Sequence, residues 1–596
     1  MRTAPLSAAL LPLVLAACGA APKPGSPQAD TAAADDGAAD GTDEGGADDG
    51  ADGDGAGDGV DGADGATDTG GWRPEWHIEE DEDGDGTTNP LDCAPFDPRV
   101  APGATEVCGD GVVNDCDRRA LGWRDELCAV QSEALLEIIK PTSYVAEAAS
   151  LGDLMGDGGF YMGIGIPSAT RCDIIGVDEW GADVYDCYRI GGFYMLELAA
   201  LRPSSHGNEL WLPRPDAPGV FGVDGHLRDR NYGSSLEGLG DLDGDGYADF
   251  IVGNDQPGRG AETDEVWLFW GPGLPDRFDE GTQLLLGDDP GRCIGYDMER
   301  AGDLTGDGVD DLVVGDPCRD EAWVWSGADV VAGATGADLS PAARIVDSSA
   351  EAIELGMGLS GRSDLTGDGV ADLVVSAPNA RRTIGGADLD YVGVYAGPFA
   401  GDRAAEDRAA TVRTSLVMAD YSEHAVGYTL DVGDLNGDGY FDLVVGDPMW
   451  YDNLSGLRTS QLTTVYFGPL DGDYVDTEAE VQLYYGGGEV EAHTDFDGDG
   501  RDDILVGSGN YPRESNLFST YGASGRAHLM YAPLVGVVDL RSAADVLFEI
   551  PDDDPDNDQW GAQVLAVPDQ TGDGVPDVVV GTVGDAIWLM ATPPPR

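Results

Sequence analysis

Positive charge is what this chain has least of. Lysine and arginine together number 32, against 113 aspartates and glutamates, for a formal net charge of -81. Nucleic acid, a polyanion that must be met by basic contacts, is excluded as a partner, and anionic lipid surfaces repel such a chain. Beyond residue 20 there is also no run approaching the ~20 apolar residues that a membrane-spanning helix requires. The sequence contains no HExxH, no GxSxG elbow and no CxxC spacing, and its six histidines (His77, His206, His226, His424, His493 and His528) are scattered. The common hydrolase and zinc-site constellations are therefore missing. In their place stand carboxylates, and a chain of this kind attracts cations. Acidity can also serve solubility alone, so the placement of the aspartates decides between the two.

The N-terminus reads as an export signal: Arg2, an apolar stretch from Leu6 to Ala17, then Cys18. The stretch is too short to span a membrane, and Leu15-Ala16-Ala17-Cys18 resembles a bacterial lipobox, in which the cysteine is diacylated and becomes the mature N-terminus. Residues 19–71 are almost entirely Ala, Gly, Asp, Pro and Thr, with fourteen acidic and no basic residues between Lys23 and Arg73. Such a segment buries too little apolar surface to offset its ordering entropy, so it is expected to be a disordered tether.

Eight cysteines follow Cys18, an even number that suits disulfides in an exported chain. Four of them fall at residues 93–128, within a segment (72–130) of distinct character. There Asp81, Asp83 and Asp85 occupy positions 1, 3 and 5 of a tight loop, with Gly86 at 6 and Asp92 at 12. That is close to the EF-hand ligand order. With Cys93, Cys108 and Cys116 the stretch resembles the small Cys-rich metal-binding motif of secreted myxobacterial-type proteins. Hard oxygen ligands favour calcium there, and the lone nearby His77 gives copper little support.

From residue 131 the chain repeats itself. Six nine-residue loops carry oxygen side chains at positions 1, 3, 5 and 9: Asp241, Asp243, Asp245, Asp249; Asp303, Thr305, Asp307, Asp311; Asp364, Thr366, Asp368, Asp372; Asp434, Asn436, Asp438, Asp442; Asp495, Asp497, Asp499, Asp503; and Asp569, Thr571, Asp573, Asp577. A seventh loop, which comes first along the chain, keeps Asp153 and Asp157 but has Met155 and Tyr161 at positions 3 and 9. Calcium takes six to eight oxygens, and carboxylates at these spacings converge only if glycine lets the chain turn sharply. Turns favour Asp and Gly in any case, but ordinary turns do not repeat Asp at 1, 5 and 9 six times. About six calcium ions are expected in 131–596, one near Asp81, and none or a weakly held one in the first loop.

Each of the six complete loops runs into a short apolar strand such as Leu443-Val444-Val445-Gly446, and an aromatic-rich third strand follows, as at Val266–Gly271 and Val465–Gly468. Fourth strands are expected at 282–287, 342–347, 409–414, 479–485 and 544–550, with a counterpart near 208–213. The last repeat has none of its own, and Ala134–Ile139 is left to complete it. The expected fold is all-β: a seven-bladed β-propeller over 131–596, closed by the N-terminal strand, after a signal peptide (1–18), the tether and the Cys-rich module.

The repeats resemble FG-GAP repeats, the family of the seven-bladed head of integrin α chains, through the Asp-x-Asp-x-Asp-Gly-x-x-Asp loop and the segments Gly315-Asp316-Pro317, Ser376-Ala377-Pro378 and Gly446-Asp447-Pro448. The resemblance implies calcium loops between the first two strands of each blade on one face. It also implies partner-binding loops between strands two and three on the other, at 167–190, 254–264, 378–390, 447–462 and 508–525. Trp180, Tyr185, Trp450, Tyr451 and Tyr511 lie on those loops, either exposed for recognition or packed between blades. Cys172 with Cys187, and Cys293 with Cys318, would brace the same face. The implied function is binding or adhesion to an extracellular protein or polysaccharide, without catalysis, at a bacterial cell envelope that the chain touches only through its lipid. Two alternatives stay open: a hydrolase using a carboxylate pair at the propeller centre, and a metal-scavenging surface protein.

Overall fold

The computed structural model describes the chain from Val130 to Pro595, apart from residues 132–133, 140–146, 178–182, 202–208, 212–217, 226–230, 255–263, 287–291, 336–338, 349–352, 379–389, 414–425, 449–460, 509–525, 549–559 and 583–585. Cys18, the acidic segment and the Asp81–Asp92 loop lie outside the described residues.

Seven sheets, each with four antiparallel strands, form the blades of a propeller. The fifth is typical: Thr429–Gly433 lies innermost, then Asp442–Asp447, Leu462–Tyr466 and Val481–Tyr484. Every residue of its second and third strands is buried. A sheet sandwiched between neighbours has no solvent side, which is why these strands read as continuous apolar runs without alternation. The inner strands contact one another in order around the ring, and that of the seventh blade, Trp560–Val567, returns to that of the first, Glu147–Gly152. They pack closely: a Cβ on Gly433 would sit 1.6 Å from the Ala492 carbonyl oxygen of the next blade.

The core is divided among seven hydrophobic clusters, one per blade interface. Between blades one and two, Phe193 meets Phe250, Phe269 and Phe278 with ring centroids 5.4–5.9 Å apart. Third-strand aromatics such as Phe269, Trp325, Tyr395, Tyr466 and Trp588 are buried in these interfaces.

Ala134–Ile139 pairs antiparallel with Ala586–Met590 and so supplies the fourth strand of blade seven, as the sequence predicts. The strand expected at 208–213 requires a correction. The fourth strand of blade one is Val220–Asp224, and Glu209–Trp211 instead adds in parallel to the outer edge of Ala134–Ile139. The same device recurs four more times. Arg403–Ala404, Asp473–Val475, Gly536–Asp539 and Val130–Gln131 each lie in parallel on the fourth strand of the preceding blade. These short strands cover sheet edges that would otherwise offer unpaired amides, and among the described residues they tie blades three to seven in sequence and blade seven to blade one.

On the face opposite the acidic loops, Thr170–Val177 and Asp183–Arg189 form a hairpin in which Cys172 stands opposite the disulfide-bonded Cys187. The Cys293–Cys318 disulfide is formed, with Cα atoms 5.4 Å apart and a sequence separation of 25. It closes a loop containing the acidic turn of blade three. Removing it as the double alanine variant should cost about 3 kcal/mol, the loop entropy restored to the unfolded chain. Urea denaturation of the variant against the oxidised and the reduced wild type reads this directly. Equal stabilities of all three would refute it.

Candidate metal-binding loops

Each acidic loop joins the first and second strands of a blade, and two glycines make its shape possible. In the fifth loop Gly437 and Gly439 have φ of +74° and +87°, a region that side-chain-bearing residues avoid. The position-1 aspartate then turns inward to collect loop amides. Asp434 accepts from the N–H groups of Gly437, Asp438 and Gly439 at 2.8–3.1 Å. Asp303, Asp364 and Asp495 do the same in their loops. The position-5 aspartate accepts from the amide of position 7, as Asp438 does from Tyr440 at 2.9 Å.

The first loop keeps this shape without the full ligand set. Asp153 accepts from Asp157 and Gly158, and Asp157 from Gly159. Met155 points into solvent at 40% exposure, while Tyr161 is 3% exposed and replaces a carboxylate with a buried ring. Burial pushes its phenol up to about 12, so it offers no anionic oxygen.

Position 9 carries a feature that the sequence did not show. Asp249, Asp311, Asp372, Asp442, Asp503 and Asp577 are all 0% exposed. Each accepts two backbone N–H groups. One comes from its own loop: Leu242, Thr305, Thr366, Leu435, Phe496 or Gln570, at 2.7–3.0 Å. The other comes from just beyond the third strand: Gly271, Gly327, Gly397, Gly468, Ala532 or Thr592, at 2.7–3.1 Å. This carboxylate therefore pins the acidic loop to the segment that leaves the third strand. In four blades the second donor precedes a cis-proline (Pro272, Pro398, Pro469 and Pro533). The Gly-Pro or Ala-Pro dipeptide after the aromatic strand of those four blades was the available signal.

Burial pushes these carboxyls up: Asp249 and Asp311 to about 6, Asp442 and Asp503 to about 7, with Asp372 and Asp577 raised in the same direction. The two backbone donors oppose the shift without cancelling it. A cation alongside would relieve it.

Oxygen atoms converge accordingly. Among the described residues, the ligand atoms of Asp241, Asp243 and Asp245, of Asp303, Asp307 and Asp311, of Asp364, Asp368 and Asp372, and of Asp495, Asp497 and Asp503 lie within 4.8 Å of one another. These are hard oxygen donors, suited to a cation such as calcium or magnesium and unsuited to soft metals. The loops with Asn436 and Thr571 at position 3 do not gather three carboxylates in this way. Of the aromatic residues expected on the opposite face, Tyr185 lies in the hairpin strand Asp183–Arg189, while Trp180, Trp450, Tyr451 and Tyr511 fall outside the described residues.

Comparison with known proteins agrees with this architecture. The FG-GAP repeat model matches residues 426–466 and 487–530, and the FG-GAP-like repeat model matches 241–314. The chain is 28% identical to integrin alpha-PS2 of Drosophila melanogaster over 197 residues, covering 32% of this chain and 12% of that protein. It is 25% identical to integrin alpha-V of Gallus gallus over 233 residues, covering 37% and 19% respectively. To integrin alpha-PS5 of Drosophila melanogaster it is 34% identical over 110 residues, or 17% and 10%. The chain thus spans less than a fifth of the length of these relatives. Seven blades, a recurrent acidic loop between their first two strands and these matches together identify the chain as an integrin-α-like β-propeller of FG-GAP repeats.

Proposed function

We propose that the protein is a calcium-binding propeller, held at a bacterial cell surface by a lipid on Cys18 and an acidic tether, that binds an extracellular protein or polysaccharide. The observation carrying this reading is the convergence of carboxylates in loops that recur blade after blade. Calcium in those loops would offset the crowding of Asp241, Asp243 and Asp245 and their counterparts and fix one face as a rigid base. The loops joining strands two and three, braced by Cys293–Cys318, would then be free to recognise a partner. Similarity to integrin alpha chains supports binding over catalysis, and fold alone does not choose the ligand. The Cys-rich segment around Asp81 adds one further calcium loop to the proposal.

Calorimetric titration of chelated protein tests the metal reading. Residues 131–596 should take up about six calcium ions and residues 72–596 one more, with a large rise in melting temperature and no site in the Asp153 loop. Two ions or fewer, without stabilisation, would reduce the loops to turns. Calcium-dependent binding to immobilised extracellular glycans and proteins then identifies the partner class.

A further inference from the structure

A cavity of about 540 Å³ lies at the centre of the ring, where the inner strands lead into the acidic loops. Its wall is highly charged. Blade two contributes Glu237, blade four Arg362, blade five Asp431, and blade six Glu489, Glu491 and His493; blade three contributes Glu299, Arg300 and Asp310, with Asp297 beside them. Blades one and seven contribute only uncharged residues there, Ala148–Gly152 and Gln563–Leu565. Seven carboxylates therefore share three cations. All three cations are committed, Arg300 to Asp310 at 2.7 Å. Arg362 donates to Glu237 across the ring at 2.8 Å and lies 3.9 Å from Glu299. His493 pairs with Asp431 at 2.8 Å and is held protonated up to about 10, chiefly by that carboxylate.

The same carboxylates join neighbouring inner strands. Asp297 accepts from Leu359 N–H at 2.8 Å and Glu299 from Gly361 N–H at 3.1 Å, linking blade three to four. Asp431 accepts from Ala492 N–H at 2.6 Å, linking five to six, and Glu491 accepts from Ala566 N–H, linking six to seven. Glu489 faces no cation of its own: Asp297, Asp431 and Glu491 are the charges acting on it, and each disfavours its ionisation.

We propose that the carboxyl groups around this cavity retain protons near neutral pH, so that the channel is a pH-sensitive lock, tightening the ring on the acid side and loosening it on the alkaline side. Seven like charges in a confined cavity with three counter-ions cannot all ionise cheaply. Burial in the ring raises Asp297 to about 6, Glu237 to about 7, and Glu299 and Glu489 to about 8. The folded state thus holds more protons than the unfolded chain, whose glutamates titrate near 4.3. The resulting stabilisation is complete below that value and is lost as pH rises through about 6 to 8. His493, held protonated by its contact with Asp431, keeps its charge across this window and does not drive the change. None of the four titrating groups belongs to an acidic loop.

The test is the melting temperature of calcium-saturated protein between pH 5.5 and 9, compared with the triple variant Glu237→Gln, Glu299→Gln, Glu489→Gln. Wild type should lose several degrees between pH 6 and 8.5, and the variant should lose much less. A flat wild-type profile, or an equal slope in the variant, overturns the proposal. If the triple variant does not fold, infrared difference spectra between pH 6.5 and 9 decide the matter. Wild type should lose the carbonyl band of protonated carboxyl groups, and Glu489→Gln alone should reduce that loss. Absence of the band overturns the proposal, and calcium uptake separates that result from failure of the loops.

Discussion

Asp442→Ala should destabilise the calcium-free protein by about 3 kcal/mol or more, whereas Asp438→Asn, four residues earlier in the same loop, should change it by less than about 0.5 kcal/mol. The two positions belong to one expected ligand set, yet the structure gives them different work. Asp442 is 0% exposed and accepts from Leu435 N–H at 3.0 Å and Gly468 N–H at 2.9 Å. Alanine would leave both amides unsatisfied, at about 1–3 kcal/mol each. Asp438 is exposed and accepts from Tyr440 N–H, a bond that the asparagine oxygen can keep. With calcium the ranking changes character. Asp438→Asn should lose the metal-dependent stabilisation of its blade, and Asp442→Ala should lose that and the pin together. Urea denaturation of both variants, in chelator and in saturating calcium, separates the roles. Equal stability of the two in chelator would mean that the buried carboxylate does nothing beyond ligation.

This division of labour explains what could be read from the sequence. The acidic loops were legible because side-chain oxygens at fixed spacing, with glycine at the turn, leave few alternatives. The second and third strands were legible because burial on both faces forces uninterrupted runs such as Leu443-Val444-Val445, with every residue of the strand buried. The second partner of each position-9 aspartate was not, since Gly271 and Asp249 stand 22 residues apart and meet only once the blade has folded. The central carboxylates were hidden for a related reason. Glu237, Glu299 and Glu491 each lie four residues before the first aspartate of a loop, but only ring closure turns them toward one cavity. At 208–213 the reading failed because a short apolar stretch does not reveal its sheet. Glu209–Trp211 has strand character, yet it pairs in parallel with blade seven, while Val220–Asp224, interrupted by Gly222, gave the weaker signal and is the true fourth strand.

The failure at 208–213 and the success at 134–139 concern the same sheet, and together they set the largest effect expected of any truncation. Removing residues 130–139 would strip blade seven of its fourth strand, expose the edge of Ala586–Met590, leave Glu209–Trp211 without a partner and uncover Val546–Phe548 of blade six. The cost would not stay local. The inner strand of blade seven contacts those of blades six and one, and the interface cluster between blades seven and one contains Val579, Ile587 and Leu589 packed with Met162, Ile164 and Leu196. Loss of the closing strand unsupports that cluster and opens the ring at the join between the chain's two ends. A protein beginning at residue 147 should therefore melt at least ~10 °C lower, with a broadened transition and a tendency to associate through the new edge. Adding the peptide 130–141 in excess should restore part of the lost stability in a concentration-dependent way, because it binds only the folded ring. A truncated protein that melts like the full propeller and ignores the peptide would show that the other six blades hold the ring without its clasp.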